Sequence, residues 1–484
     1  MRAPVKPVAQ PPLNPPAADI LARFAAIVGD RYAITNPSDQ ASYLTEWRDL
    51  YVGRTPMVLR PATTGEVSAI MALAHEARVG VVPQGGNTGL VGGQIPFETG
   101  SEIVLSLSRL NRIRHVDETG THMVAEAGVT LLAAQQAASE AGRLFPLSLA
   151  SEGSCQIGGV MASNAGGVNV LAYGNARNLA LGLEVVLADG RVIEGLRALK
   201  KDNTGYDLRD LFIGSEGTLG VITAASLKLF PQPAEKATAF VALADIESVA
   251  ALFQRAERGA GSSLTAFEFM SDLGLSMVLD FTPGSRSPFA GRHPWYVLME
   301  ISGGRADGSA ASVLEGLLAE AIEDGVALDA AVAGSLAQAQ ALWRLRENLS
   351  EAQKPAGGSI KHDISVPIAA IPRFIAEAGR VVERVCPGAR PVPFGHFGDG
   401  NVHYNVSQPV GMDKAQYLSG WHTMSGAVHG LVSELNGSIS AEHGIGRLKR
   451  DDLAAVKGAV EMDLMRAIKS ALDPRGVLNR GKVL

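Results

Sequence analysis

Between Gln84 and Gly93 the chain reads Gln-Gly-Gly-Asn-Thr-Gly-Leu-Val-Gly-Gly, with too little side chain to form core and too much glycine for a helix. A second small-residue tract runs from Glu152 to Gly167 and a third from Gly214 to Gly220, all before Pro231. Without Cβ atoms, successive backbone N–H groups can converge on an anion, so such tracts suit a pyrophosphate. Asn87, Thr88, Ser154 and Asn164 add side-chain donors. One glycine-rich turn is an ordinary loop, whereas three in one region point to a bound cofactor.

The residues around the tracts alternate in type. Apolar spacing predicts helices over Ala18–Val28 and Gly65–Arg78, and short β-branched runs predict strands over Met57–Pro61 and Val81–Pro83. The apolar run Val221–Phe230 follows the third tract as a further strand. After Gln232-Pro233 the texture changes to helices at Ile246–Arg258, Ser309–Asp324 and Ser335–Gln353 with a strand at Trp295–Ile301, as in a separate α+β domain. A last helix, Glu461–Leu472, is stopped by Asp473-Pro474-Arg475-Gly476. None of the tracts has the Gly-x-Gly-x-x-Gly spacing of a dinucleotide fold. The near-P-loop at Gly476–Val483 carries Val483 where magnesium would need Ser or Thr.

The net charge of −6, with no run of Lys and Arg, argues against a nucleic-acid surface and for a small-molecule partner. Only Cys155 and Cys386 occur, so no disulfide framework is expected. Residues 1–17 form a Pro-rich leader without an apolar secretory core, and no segment reaches the ~20 apolar residues of a membrane span. The expectation is a soluble cytoplasmic protein.

Two stretches carry the titratable chemistry, Gly395–Asn405 and Ser440–Gly444. His396 and His403 flank the turn sequence Gly398-Asp399-Gly400-Asn401, and two strand ends folded over it would bring both rings to one point. Together with Glu442 they form a donor set for a divalent metal that keeps a coordination position open, leaving His443 as a base. The plainer alternative makes one histidine a capped loop residue and the other a core residue. Asp399 is expected to fix the turn or buttress a histidine rather than to ligate. Two imidazoles and a carboxylate suit Zn2+, with Mn2+ or Co2+ nearly as apt.

PQGGNTGLVGG, SEGSCQIGGVMASNAGG, KDNTGYDLRDLFIGSEGTLGVIT, GHFGDGNVHYNV, SAEHGIG and DPRGVLNRGK, in this order, resemble the FAD-dependent D-2-hydroxyacid dehydrogenases of the vanillyl-alcohol-oxidase type. The resemblance covers nearly everything beyond the first forty or so residues. It implies an α+β fold: a two-part FAD-binding domain (18–232, with 446–484 returning to it) and an inserted α+β substrate or cap domain (233–445) carrying the metal. FAD would meet Pro83, Gly85, Gly86, Asn87, Thr88, Gly89, Gly92 and Gly93 in the first tract. In the second it would meet Gly153, Ser154, Ile157, Gly158, Gly159, Asn164 and Gly167. Glu216, Gly217, Ile222 and Asn479 would complete the set. Asn87 stands where relatives that bind flavin covalently often carry His, so dissociable FAD is expected. Cys155, which aligns with a cysteinyl link in some relatives, is expected to be a small buried thiol.

A helix over Ser335–Gln353 would put Arg346 and Ser350 on one face, with Lys361 in the extended stretch that follows. Charged residues on a helix are usually a solvated face. The resemblance instead implies a clamp on a second substrate carboxylate, with Asn405 and His443 also at the substrate. Two charge-assisted contacts of roughly 1.5–3 kcal/mol each would favour a dicarboxylate by about a hundred- to ten-thousand-fold. Ser350 stands where relatives tend to have Thr. The implied activity is oxidation of D-2-hydroxyglutarate, with D-malate as a second substrate, to the 2-oxo acid. Electrons would pass to a separate acceptor such as an electron-transfer flavoprotein or a quinone, and a homodimer is expected only as the commonest form of assembly. The alternatives are a D-lactate or glycolate dehydrogenase of the same superfamily, and a flavin electron-relay subunit of a larger complex.

Overall fold

Helix Ala18–Val28 buries Phe24 and Val28, and helix Thr64–Ala77 begins where the Thr63 hydroxyl accepts the Glu66 N–H at 3.1 Å. The computed structural model describes residues 12–484, so most of the expected leader, residues 1–11, lies outside the described residues. The chain divides into two compact units. One comprises residues 12–166, Gly174–Pro231 and His443–Leu484; the other is Gly167–Tyr173 with Gln232–Glu442. The division therefore falls between Glu442 and His443, not after residue 445, and Gly167 groups with the second unit.

In the first unit, Val58–Leu59 and Gly80–Gln84 both pair parallel with Glu102–Ser106, and Ala33–Ile34 adds an antiparallel edge. The first glycine tract starts where the strand Gly80–Gln84 ends. A five-stranded antiparallel sheet follows in the order Ile113–Val116, His122–Glu126, Val221–Lys228, Ala180–Val186, Val192–Gly195. The second tract is only partly a loop, because Ile157–Ser163 form a short helix. The C-terminal segment completes the first core: Val81 N donates to Val477 O and Asn479 N to Val81 O, each at 2.8 Å, and Val477 and Leu478 are fully buried beside Val81, Ile103 and Leu105. The buried Lys482 pairs with Glu102 at 3.1 Å and fastens it further, as does Lys469 Nζ, which donates to Thr218 O at 2.8 Å while pairing with Asp473 at 2.6 Å.

The second unit is built on an eight-stranded sheet. Along it lie Asp329–Val332, Glu235–Leu243, Trp295–Gly303, Leu264–Ser271, Arg390–His396, Asn401–Ser407 and Ser359–Ile360, and Asp363–Ser365 also pairs with Asn401–Ser407. Both faces are covered, so its inner strands are apolar on both sides. Ala239, Val241, Val297 and Met299 pack towards helices Ile246–Ala260, Ser309–Glu323, Ile371–Val385 and Trp421–Glu434. Phe240, Ala242, Tyr296 and Leu298 pack on the opposite face, under Asp272–Phe281 and Leu336–Glu347. The single helix expected over Ser335–Gln353 is two, Leu336–Glu347 and Leu349–Ala352. At the break the Asn348 amide donates to Arg344 O at 2.7 Å, a local bond of the kind that competes with the helical ladder.

Candidate active site

His396 ends the strand Arg390–His396 and the next strand begins at Asn401. The turn between them needs Gly400, whose φ is +85° and where any Cβ would fall on the Val366 carbonyl oxygen. Asp399 Oδ1 accepts the Asn401 N–H at 3.0 Å, so it fixes the turn. The register then aligns the polar residues across four strands. Glu268 lies opposite His396, Phe394 opposite His403, and Asp363 opposite His403. Alternation turns this row to the face that also buries Phe394, Leu345 and Leu349.

Glu442 meets both rings. Its Oε1 is 3.7 Å from His396 Nε2 and its Oε2 is 3.7 Å from His403 Nε2. Behind the imidazoles stand two carboxylates that the sequence did not single out. Glu268 Oε1 accepts from His396 Nδ1 at 2.7 Å, and Asp363 Oδ1 is 3.7 Å from His403 Nδ1. Asp363 also accepts the Glu442 amide N–H at 2.9 Å and the Asn401 side-chain N–H at 3.0 Å. Glu268 had a visible cue, being the lone charge in the apolar run Phe267-Glu268-Phe269-Met270.

Electrostatics agree with a cation-seeking pocket. Burial pushes Glu442 up to about 7, and the nearby Asp363 and Asp399 reinforce it against His396 and Arg346. Burial likewise raises Asp399. For His396, burial acts downward, but the Glu268 charge and hydrogen bond outweigh it and lift the ring to about 9. Glu268 is held below the usual carboxylate range because His396 and Arg346 outweigh its own burial. Asp363, His403 and Glu442 bring ligand atoms within 4.8 Å of one another. Four carboxylates converge here on two imidazoles and one guanidinium, and the donor set fits a divalent cation.

The other residues expected at a substrate lie on separate elements. Arg346 is buried, with Nε and Nη2 both 2.8 Å from Glu268 Oε2, and lies over the Phe394 ring at 5.1 Å. Ser350, beyond the helix break, is exposed, whereas Arg346 is buried. Lys361 is half-buried between the short strands Ser359–Ile360 and Asp363–Ser365. Asn405 follows His403 on the same strand face and donates to Gln353 Oε1 at 3.0 Å. His443 comes directly after Glu442 and opens the returning segment of the first unit.

In that first unit the glycine tracts pack backbone to backbone. A Cβ on Gly86 would fall on the Ser154 carbonyl oxygen, and one on Gly158 would stand 2.7 Å from Ala127 Cβ. Gly153 and Gly159, by contrast, have nothing within 4 Å of a Cβ position, so open space lies beside the tract. Asn87, at φ +55°, donates to Ser42 O at 3.0 Å and Thr45 O at 2.9 Å. Glu216 accepts from Ile445 N at 2.6 Å and Gly446 N at 2.8 Å, and burial raises it to about 7. Asn479 donates to Gly93 O at 3.0 Å and Glu216 O at 2.8 Å, while its buried Oδ1 is left without a partner. Pro83 packs at Gly217, where a Cβ would be 3.3 Å from its Cγ. Ile157 and Ile222 are buried, and Asn164 caps its short helix at φ +52°. An open cradle with an orphan acceptor fits a bound nucleotide cofactor.

Two family matches agree with this construction, an FAD binding domain over residues 55–195 and an FAD linked oxidase C-terminal domain over residues 232–483. The solved structure of p-cresol methylhydroxylase with substrate bound shares the fold, with a TM-score of 0.75 at 16% identity over 96% of each chain. The molecule is thus an α+β flavoprotein of the FAD-linked oxidase class. The mitochondrial D-2-hydroxyglutarate dehydrogenase of Arabidopsis thaliana is 37% identical over 95% of this chain and 80% of its own. That of Bos taurus is 39% identical over 99% of this chain and 86% of its own. The chain belongs to the D-2-hydroxyglutarate dehydrogenase family.

Both relatives are named mitochondrial, which overturns the expectation of a cytoplasmic protein. Two cysteines without a disulfide do not distinguish one reducing compartment from another. Among the described residues no helix is long and apolar enough to cross a membrane.

Proposed function

We propose that the chain oxidises D-2-hydroxyglutarate to its 2-oxo acid, using dissociable FAD and a divalent metal held by His396, His403 and Glu442. The observation that carries the metal is the pair of 3.7 Å approaches of both Nε2 atoms to the two oxygens of Glu442, with the outer nitrogen of each ring facing a carboxylate. Zn2+ suits the donors best, with Mn2+ or Co2+ as alternatives. Such a cation, when bound, lowers the pKa of a coordinated hydroxyl. FAD, when bound, supplies the acceptor for the hydride leaving C2. A ring nitrogen of His443 takes the C2 hydroxyl proton. Arg346, Ser350 and Lys361 recognise the far carboxylate, and Asn405, fixed by Gln353, orients the acid. The names of the two relatives support the dicarboxylate. Burial raises the Cys155 thiol, which disfavours the thiolate a covalent flavin link would need. Electrons leave to a separate acceptor, an electron-transfer flavoprotein or a quinone.

Anaerobic mixing of the flavin-loaded chain with D-2-hydroxyglutarate, D-malate, D-lactate and the L-enantiomers, before and after chelation, tests this. Fast bleaching by D-2-hydroxyglutarate that chelation abolishes is expected. Equal rates with D-lactate would remove the dicarboxylate specificity. Absence of bleaching would favour an electron-relay subunit.

A further inference from the structure

Glu268 is almost wholly buried, and none of the roles above uses it. Its two oxygens are divided between the two halves of the candidate site: Oε1 takes His396 Nδ1 at 2.7 Å, and Oε2 takes Arg346 Nε and Nη2 at 2.8 Å each. An ionised carboxylate only accepts, so Nδ1 keeps its proton, and when the ring is neutral it is Nε2, on the Glu442 side, that offers a lone pair to a cation. The same carboxylate engages the Nε and Nη2 side of the guanidinium, which leaves Nη1 outside this pair. Phe394 lies 5.1 Å below Arg346 and 5.0 Å from the ring of His403, the other candidate ligand. A charge so deeply buried cannot be solvated when one partner shifts, so the two geometries hold or fail together.

We propose that Glu268 is the positioning residue that couples metal holding by His396 to carboxylate recognition by Arg346; this rests on the metal and substrate roles given above. Glu268→Gln nearly preserves shape but offers one acceptor oxygen and an N–H2. If the amide donates to His396, the ring proton moves to Nε2, where a cation would bind; if it faces Arg346, two donors oppose each other. One substitution therefore impairs both ends.

The test uses the full flavin-loaded chain, titrated with Zn2+ against a chromophoric chelator, with His403→Ala as reference. Glu268→Gln should weaken Zn2+ binding by about 10- to 100-fold. It should also lower the preference for D-2-hydroxyglutarate over D-lactate, read as the ratio of kcat/KM, towards that of Arg346→Ala. Zn2+ held as tightly as by the wild type, while His403→Ala loses it, overturns the proposal and leaves the metal site standing. Undiminished binding in His403→Ala removes both. If Glu268→Gln does not fold, the ring 15N shifts of His396 in the Zn2+-loaded wild type decide. Protonated Nδ1 with metal on Nε2 is expected, and metal on Nδ1 overturns the proposal.

Discussion

Asp363 holds Glu442 through the backbone, accepting its amide N–H at 2.9 Å. Because Asp363 also faces His403 across the strand pair and takes the Asn401 side chain at 3.0 Å, it joins the hairpin to the segment that carries the carboxylate. The candidate donors come from sequence positions about forty residues apart, and the bonds of Asp363 fix their spacing.

His403→Ala should therefore abolish stoichiometric metal by elemental analysis, whereas His443→Ala should retain it and slow flavin reduction by about 100-fold or more, the scale of a lost general base. Metal loss in His443→Ala would make that residue a ligand.

Arg346→Ala should reduce kcat/KM for D-2-hydroxyglutarate by roughly 10- to 100-fold more than for D-lactate, because a charge-assisted contact is worth about 1.5–3 kcal/mol. Parallel steady-state assays check this, and equal losses with both acids would refute the clamp.

Gly86→Ala should lower retained flavin at least about tenfold, equivalent to ~1.4 kcal/mol of distortion, since the new methyl falls on the Ser154 carbonyl. The visible absorbance of the purified chain per mole of protein reports it. Gly159→Ala, which adds a methyl to open space, should fold normally and separates filling of the cradle from distortion of its backbone.

Arg114 bonds Glu126 at 3.0 Å and Glu184 at 3.0 Å. Burial acts upward on both carboxyls, but the Arg112 and Arg114 bonds on Glu126, and those from Arg114, Thr64 and Thr223 on Glu184, hold both below the usual range. Depressed carboxyl pKa values stabilise the fold above the unfolded value of about 4.5, and that contribution is lost as pH falls through the folded values. Arg114→Ala should thus cost about 1–2 kcal/mol at neutral pH, discounted for partial solvation, and the deficit in Tm should shrink as the pH is lowered through that window. A pH-independent deficit would refute the ion-pair account.

What could be read from the sequence was local. The helix Ala18–Val28 follows from apolar spacing, and the histidine hairpin from four turn residues. The break at Asn348 was missed because it interrupts the helix at a single residue, whose side chain also bonds Arg344 O. Glu268 was missed because its partners lie 78 and 128 residues away, brought alongside only by sheet register. The glycine tracts were recognisable as a class, but the meeting of Asn479 with Gly93 and Glu216 spans hundreds of residues and appears only in the fold.

The C-terminal closure of the first core has a consequence for biosynthesis. Val477, Leu478 and Lys482 fill positions beside Val81, Ile103 and Glu102, and they emerge from the ribosome only after all of Gln232–Glu442 has been made. During translation the second unit can form from one nearly continuous stretch, while the first waits with an unfilled seam along Gly80–Gln84. A nascent chain is therefore exposed to aggregation and chaperone capture at its amino-terminal half, and it remains so until the last forty or so residues arrive.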